Sequence, residues 1–196
     1  MKNLFKFACI IAFLVGGLAF GQTTAETLSQ DRDFINFVEF NYSTFNDYSN
    51  VFKYKDKERD QKLEDIALIK QNLNDGKINE EEMVKELNNI FENKLDFTKF
   101  STNYNASSVV LLEKYGKVLE DRELINSAVS QVLSNSTLTA RRPAAYSACA
   151  AVVIGNAWWG FLTCAGSTLG VGTHVCGGVA LVVGLAGIYT CHISNP

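Results

Sequence analysis

The chain has 196 residues, 18 of them basic and 21 acidic, for a net charge of −3, and 47% are apolar. This balance excludes a polybasic nucleic-acid binder and a cationic peptide steered to anionic lipid, and the length suits one domain or two small ones. The charge is unevenly placed: no Asp, Glu, Lys or Arg occurs from Pro143 to Pro196, where Cys149, Cys164, Cys176 and Cys191 lie at intervals of 15, 12 and 15.

Residues 1–21 have the pattern of a secretory signal. Lys2 and Lys6 give a positive start, Leu4 to Phe20 is almost wholly apolar, and Ala19-Phe20-Gly21 supplies the small residues that cleavage needs. The expected cut falls between Gly21 and Gln22. An uncleaved anchor is the competing reading, because the apolar run approaches the roughly 17 to 20 residues of a spanning helix. Export permits disulfides, and the four cysteines left after cleavage can pair completely. Removing Lys2 and Lys6 leaves 16 basic residues against 21 acidic, all of them before Pro143.

Residues 22–133 read as a charged helical domain. Phe34, Ile35, Phe37 and Val38 follow the candidate caps Ser29, Asp31 and Asp33. Leu63, Ile66, Ala67, Ile69 and Leu73 form a second helical run, stopped by Asn74-Asp75-Gly76. Asn79 and Glu82 make a capping box before Met83, Val84, Leu87, Ile90 and Phe91. Val109, Leu112, Tyr115 and Leu119 mark a fourth helix, and Leu124, Ile125, Ala128, Val129, Val132 and Leu133 a fifth. The result is a small all-helical bundle.

Several local patterns have simpler readings than a site. Gly76, Ile78 and Glu82 fit the end of a calcium loop, but Gln71 and Leu73 occupy positions that need oxygen ligands, normally a carboxylate at the first. Glu80, Glu81 and Glu82 complement a helix N-terminus. The aromatic residues between Phe34 and Phe100 are expected to fill a core. Asn41, Asn105 and Asn135 begin glycosylation acceptor triplets. Residues 134–143, polar and closed by Pro143, read as a linker whose exposed Arg141-Arg142 pair is a candidate processing site or a solubilising boundary.

Residues 144–196 contain two apolar runs, Ala144 to Ala165 and Val175 to Ile193, around a Gly-rich turn. Each is long enough for a buried or spanning helix, although Val152, Val153, Ile154, Val179, Val182 and Val183 also suit strands. In helices, cysteines 15 residues apart are roughly 22 Å apart, whereas a disulfide needs Cα atoms within about 7 Å. This leaves Cys149–Cys191 with Cys164–Cys176, or a crossed pairing that requires parallel helices; the nested antiparallel pairing needs only a local turn. Cys176, Ala180, Gly184, Gly187 and Cys191 fall on one stripe, as do Cys149, Val153, Asn156, Gly160 and Cys164. Small residues Gly160, Ala180, Gly184 and Gly187 are therefore expected to let the two helices pack closely. The opposite faces, with Val152, Ile154, Trp158, Trp159, Phe161, Leu181, Val182, Leu185 and Ile188, need a cover in water.

The cysteine spacing does not suit zinc, which usually takes close ligand pairs. His174 and His192 lack carboxylate neighbours in sequence, and no nucleophile–base or paired-carboxylate constellation stands out. The expected fold is all-α: an N-terminal helical bundle plus a disulfide-stapled antiparallel hairpin, with no cofactor, metal or nucleic-acid partner. A signal segment, charged helical part, dibasic linker and uncharged Cys-paired Ala144–Cys191 segment together resemble secreted bacteriocin-like precursors. The resemblance implies a non-enzymatic exported protein, periplasmic, cell-surface or extracellular, whose hairpin meets membrane lipid or a hydrophobic protein partner. A structural or adhesion role, with the hairpin as anchor or self-associating oligomer core, is the alternative, as is a soluble protein built around it.

Overall fold

A computed structural model describes residues 23–165 and 173–195, and every regular element among them is helical. These are α1 (Ala25–Gln30), α2 (Arg32–Phe52), α3 (Asp56–Asn74), α4 (Glu80–Ile90), α5 (Phe97–Tyr115), a 3-10 turn (Gly116–Glu120), α6 (Arg122–Asn135), α7 (Ala144–Ala165) and α8 (Thr173–Ser194). The signal segment and its expected cut at Gly21 and Gln22 lie outside the described residues.

Local chemistry sets most boundaries. Asp31 caps α2, its carboxylate accepting the N–H groups of Asp33 and Phe34 at 2.9 and 3.0 Å, and the helix buries Phe34, Phe37, Val38, Asn41, Tyr42, Phe45 and Ser49 on one stripe. Beyond α3, Gly76 has φ +67°, the left-handed turn that glycine adopts without penalty. The α4 capping box is complete: Glu82 N–H donates to Asn79 Oδ1 at 3.0 Å, and Asn79 N–H to Glu82 Oε2 at 2.9 Å.

Asp31 has a second task. Its burial favours the neutral acid, but the charged hydrogen bond from Lys114 and that from Phe34 N–H outweigh this and hold its carboxyl below the ordinary value of 3.8. Asp31→Ala is therefore expected to cost about 1 kcal/mol at neutral pH, the usual worth of an N-cap. A depressed folded pKa means that this stability is present above 3.8 and is lost as pH falls through the lower folded value. Urea melts of both proteins at pH 7 and pH 3 check the prediction: the gap should narrow in acid.

The centre of the molecule is α8. Helices α2, α3, α5 and α7 surround it, α4 touches it, α6 lies against α7, and α1 against α6. Val175, Cys176, Ala180, Leu181, Val182, Leu185, Ile188 and Cys191 are all fully buried. The charged segment and the apolar hairpin thus share one core, despite their difference in composition. Composition records where charge can sit, not which surfaces pack together.

Three further differences have physical causes. Helix α5 begins at Phe97 and buries Phe97, Phe100, Ser101, Tyr104, Ser108 and Leu111, whereas Val109, expected inside, is about half exposed. Its inner face is half polar: Ser108 satisfies itself by donating to Tyr104 O at 2.7 Å, so a hydrophobic stripe does not announce it. In the 134–143 segment, Ser134 and Asn135 end α6, and the turn that follows is anchored at two points, where buried Ser136 donates to Glu39 Oε1 at 2.8 Å and buried Thr139 to the Leu133 carbonyl. Of the three glycosylation triplets, Asn41 is fully buried and the Asn105 side-chain oxygen is also buried, while Asn135 is exposed.

Candidate functional site

The hairpin formed by α7 and α8 is the chemically distinctive part of the molecule. Cys149–Cys191 and Cys164–Cys176 are disulfides, with Cα separations of 5.8 and 5.3 Å. The nested pairing fixes the helices antiparallel, with Cys149–Cys191 at the open end of the pair and Cys164–Cys176 at the other. Cys176 and Cys191 are sealed in the core, and Cys149 and Cys164 are half-buried.

Steric contacts show how the small residues are used. A Cβ on Gly160 would stand 3.2 Å from Val179, and one on Gly187 would stand 2.6 Å from Val153, so both sit where α7 and α8 meet. Ala180 is fully buried. Gly184 departs from the expected stripe: its missing Cβ makes room for the Phe45 ring of α2. Gly177 likewise admits Ser101 of α5, and Gly178 faces Ile66, Leu87 and Phe97. The small residues of α8 thus serve more than one partner, because the helix has neighbours on several sides.

The faces expected to need a cover receive it. Ile154, Trp158, Phe161, Leu181, Val182, Leu185 and Ile188 are buried, while Val152 remains about half exposed. Trp158 packs edge-on to Phe37 and donates its indole N–H to the Leu119 carbonyl at 3.1 Å, so it is a packing residue joining α7 to α2 and the 3-10 turn. Trp159 is half-buried, and its indole nitrogen lacks a hydrogen-bond partner among the described residues.

Polar groups at the ends of α8 tie it to its neighbours. His174 Nδ1 lies 2.6 Å from the Ser101 hydroxyl on α5. His192 Nε2 lies 3.4 Å from the Tyr146 hydroxyl on α7, which in turn donates to Asn46 on α2 at 3.3 Å. Neither contact is visible in the sequence, since the partners are more than 40 residues away. Arg141 and Arg142 are exposed, and the Arg142 guanidinium stands 4.9 Å over the Tyr146 ring. Among the described residues, no group of three or more His, Cys, Asp or Glu could hold a metal.

Both hairpin helices are long and apolar enough to cross a membrane, with mean hydropathies of 1.5 and 1.7 over their most apolar windows. Such helices also serve as cores of proteins in water, and burial bears on the choice. Withdrawing Val175, Leu181, Val182, Leu185 and Ile188 into water would cost on the order of 10 kcal/mol at roughly 1.5 to 3 kcal/mol each, comparable with the whole stability of a typical domain. In water the hairpin is therefore held in the bundle. Comparison with protein-family models, with curated proteins and with solved structures finds no match to this chain.

Proposed function

We propose that this is an exported, non-enzymatic protein whose helices α1–α6 keep a disulfide-closed apolar hairpin in water, and whose hairpin associates with membrane lipid once that sheath opens. The observation carrying this reading is the arrangement around α8: a charge-free helix of membrane-spanning length is enclosed by its charge-free partner α7 and by the charged helices α2–α5 that precede both in the chain. The two disulfides hold α7 and α8 together as one unit when contacts with the sheath are lost, and helices keep their backbone hydrogen bonds satisfied in an apolar medium. Without cationic residues after Pro143, apolar surface must supply the attraction. The organisation is that of a bacteriocin-like precursor, with the exposed Arg141-Arg142 turn as the place where sheath and hairpin would be parted.

A second reading is a soluble protein in which the hairpin is permanently the core. Gly177, Gly178 and Gly184 favour it, because their contacts fit α8 to α2, α3, α4 and α5 and not to lipid.

One experiment separates the two. The oxidised chain from Gln22 onward, carrying a specific protease site in place of Arg141-Arg142, is added to dye-loaded vesicles before and after cutting. Lipid association predicts that the intact chain stays in solution, while the cut chain partitions into the vesicles and releases dye at micromolar concentration. If the cut chain remains a single soluble particle and the dye stays inside, the permanent-core reading stands and the membrane reading fails.

A further inference from the structure

His192 lies where three segments meet at the open end of the hairpin. Its Nε2 is 3.4 Å from the Tyr146 hydroxyl, and the two rings are 5.1 Å apart. Tyr146 belongs to α7 and is fully buried; its hydroxyl donates to Asn46 of α2 at 3.3 Å, and Tyr42 of α2 also faces it. The Arg142 guanidinium, on the turn before α7, stands over the same Tyr146 ring at 4.9 Å. The next residue before His192 is Cys191, bridged to Cys149 on α7. The imidazole thus touches one phenol, and an amide, a second phenol and a cation are gathered around that phenol.

We propose that Arg142, Tyr146, His192 and Asn46 form an acid-sensitive clasp that ties the open end of the hairpin to α2 while His192 is neutral. With the Tyr146 proton directed to Asn46, His192 donates through Nε2–H, which neutral imidazole and imidazolium can both do. The hydrogen bond therefore survives protonation, and the charge is what changes. A second cation would then share the half-buried space beside Arg142. The face of Tyr146 already attracts the Arg142 charge, and an added imidazolium repels it. Burial first, and Arg142 second, hold the His192 pKa below the ordinary 6.5.

The direction of the pH effect follows. A base with a depressed folded pKa binds protons more readily when unfolded, so its site costs nothing above pH 6.5 and destabilises the fold progressively as pH falls from 6.5 to the lower folded value. The clasp is a property of the folded chain in water and holds whether or not the hairpin ever meets lipid.

Two measurements on the oxidised chain from Gln22 onward test it. NMR titration is expected to place the His192 midpoint below 6.5, and Arg142→Gln to move it upward. In urea, the unfolding constant of the wild type relative to His192→Gln is expected to rise about threefold to tenfold between pH 7.5 and 5. A His192 midpoint at or above 6.5, a midpoint indifferent to Arg142→Gln, or a ratio that stays flat with pH would each overturn the proposal. Should His192→Gln not fold, the titrations of the wild type and Arg142→Gln decide alone.

Discussion

Replacing Cys149 and Cys191 together by alanine is expected to lower the stability of the fold by about 4 kcal/mol, and replacing Cys164 and Cys176 by about 3 kcal/mol. The difference comes from the unfolded chain. The first bridge closes a separation of 42 residues and the second one of 12, and the loop entropy removed from the unfolded ensemble grows with the logarithm of loop length. Each loss is large against the roughly 5 to 15 kcal/mol that holds a domain together. The open-end bridge has a further consequence because it ties the C-terminal part of α8 to α7, next to the His192–Tyr146 contact. Urea unfolding of the two double variants beside the wild type measures both values. Equal midpoints for the wild type and Cys149→Ala/Cys191→Ala would show that native packing, not the bridge, restrains this end of the hairpin.

The hairpin was legible because two constraints met in the sequence: apolar runs of helical length, and cysteines too far apart along one helix to pair within it. The caps were legible for a similar reason, since Asp31, Asn79 and Glu82 act within a few residues of their partners. Long-range placement was not. Nothing in the spacing of Gly184 says that it seats an aromatic ring from α2, and Ser101 and Ser108 look like solvent-facing positions although both are fully buried. The need to shield Leu181, Val182, Leu185 and Ile188 was evident from their lack of charge, but not that the shield would surround α8 so closely that two compositional halves become one core.

Gly184→Leu tests that closeness directly, and its expected cost is about 3 kcal/mol or more, at the upper end for overfilling a packed core. A Cβ at this position would collide with Phe45, a fully buried ring of α2. Replacing glycine inside a helix normally gains up to about 1 kcal/mol from propensity alone, so a net loss isolates the steric conflict. Phe45→Ala by itself is expected to cost about 3 to 5 kcal/mol through the cavity it leaves. In the double variant the leucine occupies part of that space, and the two losses should fall short of their sum by about 1 to 3 kcal/mol, the range of coupling between residues in contact. Urea unfolding of the four proteins completes the cycle. If Gly184 instead packed against α7, as its place on the small-residue stripe suggested, removing Phe45 would not relieve the leucine and the losses would simply add. Coupling between positions 45 and 184 thus reads out, in solution, whether α8 is gripped by the charged helices or only by its disulfide-linked partner.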